Sequence, residues 1–157
     1  METPHSSPDS MMPSAATISR LTASVALLAV ATFAAGFSSN AAARGKTTIV
    51  VRMLGDASGY RFRPASVSAR VGDVVRFVNV SGGPHNVSFW EDSIPTGAAA
   101  TLQRNMQRTM GTLSGVMLSD PNETYTVSLA GLRPGTYRYY CVPHLAVGMV
   151  GRITVRP

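Results

Sequence analysis

Cysteine and lysine are almost absent from this chain of 157 residues. Cys141 is the only cysteine and Lys46 the only lysine. One cysteine excludes an intramolecular disulfide, and a chain of this length can bury enough core to fold as one domain without it. The formal net charge of +6 is therefore carried by arginines, which are scattered along strand-like segments instead of forming a cluster. Scattered charge indicates a solvated basic surface, so we expect no nucleic-acid partner.

The first 43 residues differ in composition from the rest. A polar stretch is followed by an apolar, alanine-rich run over residues 21–37, and then by the small-residue pattern Ala41-x-Ala43. This order is typical of a secretory signal peptide, and we predict cleavage after Ala43. The mature domain then comprises residues 44–157 and is exported to the periplasm or another extracytoplasmic space, with no membrane insertion after cleavage.

Two alternatives for this segment stay open. Translation from Met11 or Met12 would give a more usual start for a signal peptide, with Arg20 just before the apolar run. An uncleaved N-terminal membrane anchor is the other alternative. Three hydroxyl residues dilute the apolar run, which makes it a poor spanning helix.

From residue 44 onward, short runs of β-branched and aromatic residues alternate with turn signals. Residues 47–54 form the first such run, and Tyr125, Val127 and Leu129 alternate with other residues in a later one. Gly72-Asp73 is a hairpin signal between two further runs. Seven or so short strands separated by turns predict an all-β sandwich.

One segment interrupts the β pattern. Leu102, Met106 and Met110 recur every four residues, and Leu113 follows three further on. This spacing predicts a short amphipathic helix over residues 98–113. Methionines at helical spacing indicate a packing role rather than a copper-storage role, because methionine fills irregular gaps in a protein core.

The only cysteine begins the pattern Cys141-x2-His144-x4-Met149, between two strand-like runs. A thiolate, two imidazoles and a long axial thioether are the ligands of a mononuclear blue-copper site, so one further histidine is required. Once the predicted signal peptide, which contains His5, is removed, only His85 remains to fill that position. Each residue alone is more often packed than metallated. Coincidence at four positions favours a metal site formed by His85, Cys141, His144 and Met149.

These motifs resemble those of the plastocyanin-like cupredoxins, a group that includes plastocyanins, halocyanins, amicyanins and pseudoazurins. The most specific matches are Tyr140-Cys141-Val142-Pro143-His144 and Gly148-Met149-Val150-Gly151, and Pro84-His85-Asn86 supports them. The resemblance implies a Greek-key β-sandwich of about seven to eight strands with one short helix. It also implies one type 1 copper ion, cycling between Cu(I) and Cu(II), on the four residues named above.

The function implied by the resemblance is single-electron transfer between larger redox proteins, without enzymatic activity. We expect a monomer with transient redox partners, acidic ones being favoured because basic surfaces steer docking toward them. Residues 110–119 are uncharged, whereas plant-type plastocyanins carry a second acidic cluster at this position. We therefore do not assign the photosynthetic partner of those plastocyanins to this chain. The resemblance also implies a dry rim of Leu145 and Val147 around His144, and the Asn86 backbone N–H aimed at the cysteine sulfur.

Other functional classes fit less well. An enzyme with Cys141 as nucleophile and His144 as base would need an orienting third residue and an oxyanion hole, of which the sequence gives no sign. Copper oxidases and nitrite reductases need further histidines, and a two-copper site needs a second cysteine. The main alternative is a periplasmic copper carrier that delivers the metal without redox turnover.

Overall fold

The computed structural model describes residues 45–157, so the predicted signal peptide lies outside the described residues. Within 45–157, no helix is long and apolar enough to cross a membrane. The elements in chain order are β1 (Thr48–Asp56), β2 (Gly59–Arg63), β3 (Ser66–Arg70), β4 (Val74–Asn79), β5 (Ser88–Phe89), a 3₁₀ turn (Glu91–Ser93), α1 (Ala99–Asn105), β6 (Thr109–Gly111), β7 (Ser114–Gly115), β8 (Thr124–Ser128), β9 (Gly135–Tyr140), a second 3₁₀ turn (Leu145–Val147) and β10 (Val150–Arg156).

The strands form two sheets. The smaller has the order β2-β1-β4-β8, and the larger has the order β3-β10-β9-β5-β7-β6. Both are mixed, because β1 runs parallel to β4 and β10 runs parallel to β3. The all-β sandwich with one short helix is therefore confirmed.

Alternation along the strands places one face of each sheet in the core. In β1, Val51 and Met53 are buried while Arg52 between them is exposed. This period of two follows from the pleat of a strand. Phe62, from the smaller sheet, packs edge-on against Tyr139, from the larger, with ring centroids 4.8 Å apart. Aromatic contacts of this kind hold the two sheets together.

The strand count is higher than predicted. The described residues form ten strands, three of which contain only two or three residues. Two of these, β6 and β7, lack enough residues for alternation to be visible in the sequence, and β6 lies inside the segment predicted to be a helix.

The predicted helix over residues 98–113 is too long. Helix α1 ends at Asn105, and Met106 has extended backbone dihedrals and forms a bridge with Val127 of β8. Met110, predicted on the buried face, lies in β6 with 56% of its surface exposed. The chain leaves the helix because Met106 pairs with the sheet, and the positive φ of 54° at Arg108 keeps the helix from resuming.

Candidate metal centre

His85 lies in the segment between β4 and β5 and is completely buried. Its backbone N–H donates to the Leu118 carbonyl at 3.0 Å and its own carbonyl accepts from the Leu118 N–H at 2.7 Å. The ring Nε2 lies 2.9 Å from the Ser81 carbonyl oxygen. A carbonyl can only accept, so Nε2 carries the proton and Nδ1 keeps a free lone pair.

The other three predicted ligands lie on the loop between β9 and β10. Cys141 follows β9 directly, and its N–H donates to the Met149 carbonyl at 3.1 Å. Within the loop that this bond closes, the His144 N–H donates to the Cys141 carbonyl at 3.2 Å and the Met149 N–H donates to the His144 carbonyl at 3.1 Å. Gly148 has a φ of 83°, a left-handed conformation that glycine adopts at no steric cost, and it closes the second 3₁₀ turn.

The fold brings the two segments together at the cysteine sulfur. Cys141 Sγ lies 3.4 Å from His144 Nδ1 and 3.7 Å from His85 Nδ1. The three ligand atoms all lie within 4.8 Å of one another. Met149 is also fully buried, in backbone contact with Cys141 and His144. Two imidazole nitrogens turned toward one buried thiol form the soft donor set that fits copper.

Comparison with known proteins agrees with this donor set. Residues 49–156 match the model of copper-binding proteins of the plastocyanin/azurin family. The chain belongs to this family. Copper is accordingly its metal, and the three-residue cluster is consistent with a single type 1 site.

Several plastocyanins are similar to this chain. Plastocyanin B'/B'' of Nicotiana tabacum is 39% identical over 107 residues, covering 68% of this chain and 99% of that protein. The chloroplastic plastocyanin of Chlamydomonas reinhardtii is 37% identical over 135 residues, covering 85% of this chain and 81% of that protein. The oxidised plastocyanin of Dryopteris crassirhizoma superimposes with a TM-score of 0.52 at 31% identity, covering 69% of this chain and all of that one.

Burial shifts the protonation of the three clustered residues. Burial lowers the pKa of His85, and burial together with the neighbouring His85 lowers the pKa of His144. Both rings are thereby kept neutral, which is the form that binds a metal. Burial raises the pKa of the Cys141 thiol, while the backbone N–H groups of Asn86 and His144 lower it to a smaller extent. The thiol therefore stays protonated until a metal ion displaces its proton.

Asn86 ties the two ligand segments together. Its Oδ1 accepts a hydrogen bond from the Val142 backbone N–H at 2.7 Å, across 56 positions of sequence. Its Nδ2 donates to the Gly115 carbonyl at 3.2 Å and to Ser88 Oγ at 3.1 Å. The buried side chain of Asn86, which directly follows His85, thus binds the residue that directly follows Cys141. Sequence reasoning assigned a role to the Asn86 backbone but missed this side-chain bridge.

Tyr60 is a further residue of the site that sequence reasoning missed. Its ring stacks on His144 with centroids 3.7 Å apart and planes 11° from parallel, and it meets His85 edge-on at 6.2 Å. Tyr60 lies directly opposite Gly55 in the β1–β2 pairing. A Cβ on Gly55 would lie 2.6 Å from the Tyr60 ring, so the glycine leaves the room in which the ring packs. The available signal was an aromatic residue that directly follows a short segment with glycine at both ends, Gly55 and Gly59.

His144 is the most accessible of the four predicted ligands. It is half-buried, whereas the other three are fully buried. Exposed apolar side chains lie on the same loop: Val142 is 44% exposed, Leu145 39% and Val147 62%. His144 therefore reaches the surface on a loop that carries exposed apolar side chains.

Proposed function

We propose that the mature protein is a mononuclear blue-copper electron carrier whose copper ligands are His85, Cys141, His144 and Met149. One observation carries the assignment: the two histidine Nδ1 atoms lie 3.4 and 3.7 Å from the only cysteine sulfur, inside a fold of copper-binding proteins. Bound copper would supply the one-electron couple between Cu(I) and Cu(II).

The protein's own contribution is to hold the donors in one arrangement. His85 is fixed by paired backbone bonds to Leu118, and Cys141 is fixed by its bond to Met149. The Ser81 carbonyl sets the tautomer of His85, so its Nδ1 needs no rearrangement to bind. A donor set held in this way suits an electron carrier, in which the two oxidation states must share nearly the same geometry.

His144 supplies the path by which electrons enter and leave. Its ring edge is accessible, and the apolar side chains of Val142, Leu145 and Val147 exclude water around it. A small apolar rim suits the weak, short-lived contacts of redox partners. We infer that two larger redox proteins contact this rim in turn and exchange single electrons through His144, with the carrier acting as a monomer and not as an enzyme.

We also propose export. The pattern of residues 1–43 supports a cleaved signal peptide, so that the copper domain begins near Arg44 and works in the periplasm or another extracytoplasmic space.

A spectroscopic experiment tests the proposal. The purified mature protein is loaded with one equivalent of copper, and its visible absorption is followed through reduction by ascorbate and reoxidation by ferricyanide. We expect an intense blue band that bleaches and returns over repeated cycles. Cys141→Ser should abolish the band, whereas Met53→Leu, a volume-conserving change in the core, should not. A colourless protein that binds copper without reversible cycling would instead support a copper-delivery role.

A further inference from the structure

Met110 differs from the other methionines of residues 45–157 because its side chain is exposed. It lies in β6, at the edge of the larger sheet, with 56% of its surface accessible. Met53, Met106 and Met149 are buried, and Met117 is half-buried. A methionine thioether is oxidised to a sulfoxide when an oxidant reaches the sulfur. Within the described part of the chain, Met110 is therefore the methionine most open to oxidation.

A β-bulge sets the position of Met110. Thr109 lies opposite Gly115 and Gly111 lies opposite Ser114, so the register shifts between them and Met110 has no partner residue across the strands. Bulges redirect a side chain and occur often beside functional sites. The bulge here leaves the Met110 side chain outside the normal alternation of β6.

The Met110 sulfur contacts Asn86, the buried side chain that joins the two ligand segments. Met110 Sδ lies 4.0 Å from Asn86 Nδ2. The same nitrogen donates to the Gly115 carbonyl at 3.2 Å and to Ser88 Oγ at 3.1 Å. A thioether is a weak acceptor, so the carbonyl and the hydroxyl hold the two amide protons. The Val142 N–H can only donate, which fixes Oδ1 as the atom that faces it.

Oxidation changes what Met110 offers to Asn86. A hydroperoxide transfers one oxygen atom to the thioether: an S–O bond forms, the O–O bond breaks, the sulfur loses two electrons, and the hydroperoxide is reduced to an alcohol that keeps its proton. The sulfoxide oxygen is a stronger acceptor than the sulfur and projects beyond it. It would compete with the Gly115 carbonyl for an Asn86 amide proton. Nδ2 and Oδ1 belong to one planar amide, so a shift of the nitrogen also moves the oxygen that binds Val142.

We propose that Met110 is an oxidative modification site, and that its sulfoxide loosens the Asn86 bridge between the two ligand segments. The oxidant is a hydroperoxide that approaches from solvent. The modification would act on the metal centre through one buried amide, without contact with a proposed ligand. Its effect on copper rests on the proposed function, whereas the oxidation and the loosened bridge do not. Methionine sulfoxide can be reduced enzymatically, so the change would be reversible.

The test starts from the oxidised copper-loaded mature protein, ¹⁵N-labelled and treated with tert-butyl hydroperoxide, a bulky oxidant. Peptide mass spectrometry follows the gain of one oxygen atom at each methionine. We expect Met110 to react at least about tenfold faster than Met117, because susceptibility follows exposure. The oxidant is then removed and the copper is reduced with ascorbate. We expect the Val142 amide proton to shift upfield, as a weakened hydrogen bond requires. Copper should pass to a chelator about fivefold faster, the factor that corresponds to one net hydrogen bond.

Three variants separate this effect from general oxidative damage. Met110→Leu conserves the side-chain volume and cannot be oxidised, so its Val142 signal and copper release should not respond to the oxidant. Met117→Leu is the matched control and should respond like the wild-type protein. Met110→Gln places a polar group beside Asn86 and should reproduce part of the Val142 shift without oxidant.

Faster oxidation of Met117 than of Met110 would overturn the proposal. A Val142 signal that does not move in the oxidised wild-type protein, or that moves equally in Met110→Leu, would also overturn it. The absorption cycle with ascorbate and ferricyanide is recorded on untreated samples. A normal cycle together with an unmoved Val142 signal refutes the modification site and leaves the electron-carrier proposal standing. If the cycle itself fails, the mass spectra and the Val142 signal of the metal-free protein still decide whether Met110 acts on the bridge.

Discussion

Replacing Asn86 with alanine should weaken both the fold and the metal centre, because this buried amide joins the two ligand segments. The change removes the acceptor of the Val142 N–H and the donor to the Gly115 carbonyl. A buried hydrogen bond contributes about 1 kcal/mol net, and a buried partner left unpaired costs a further 1–3 kcal/mol or so. We therefore expect Asn86→Ala to lower the free energy of unfolding by about 2–4 kcal/mol.

Urea denaturation of the metal-free protein, followed by Trp90 fluorescence, measures this loss without a contribution from copper binding. Asn105→Ala is the matched control, because Asn105 makes one exposed hydrogen bond to the Ala130 carbonyl at 2.8 Å. Its cost should be about 0.5 kcal/mol. In the copper-loaded protein, Asn86→Ala should also release copper to a chelator faster than wild type. If the two variants lose the same stability and release copper at the same rate, Asn86 does not tie the segments together.

Four further predictions concern other parts of the molecule. Tyr60→Leu should weaken copper binding about two- to tenfold by removing the stack on His144, whereas Tyr60→Phe should retain it, as competition with a chelator would show. Met149→Gln should lower the reduction potential and Met149→Leu should raise it, and a potential unmoved by both would remove Met149 from the ligand set. Burial raises the pKa of Tyr125 to about 12, so its contribution to stability is intact below its ordinary pKa near 10 and falls by about 2–3 kcal/mol as pH rises through 12. Tyr125→Phe should remove that part of the alkaline loss in denaturation measured against pH, and it should not destabilise the protein at neutral pH because the hydroxyl has no hydrogen-bond partner within residues 45–157. N-terminal sequencing of exported protein should begin within a few residues of Arg44, and an intact Met11 or Met12 terminus in membranes would indicate an anchor instead.

The sequence was sufficient to predict the fold class and the grouping of residues at the site. Cys141, His144 and Met149 lie within nine positions, and scarcity of histidine left only His85 to complete the set. Short spacing around a rare residue type is visible without any knowledge of tertiary structure. The family comparison confirms the resemblance and the metal, and the ligand assignment of the four residues stays a prediction.

The contacts missed by sequence reasoning depend on register and on positions far apart in the chain. The Tyr60–His144 stack requires the pairing of β1 with β2 and the return of the β9–β10 loop, which lies more than 80 positions from Tyr60. The end of α1 depends on Met106 pairing with Val127, a contact that helical periodicity does not contain. In both cases the structure depends on tertiary contacts, and at the end of α1 those contacts override the local helical pattern.

The backbone hydrogen bonds around the proposed ligands would let both segments keep one geometry in the two oxidation states of the proposed electron carrier. The backbone polar groups of His85 and Cys141 are paired inside the protein, to Leu118 and Met149, without help from a metal ion. In the proposed carrier, a bound metal would not need to order these loops, and a one-electron change would leave these hydrogen bonds intact. The His144 backbone is paired in the same way, to Cys141 and Met149, whereas its half-buried ring is restrained by the stack on Tyr60. Motion at the site should consequently be concentrated at His144, the ligand that is also nearest to solvent and to the apolar rim.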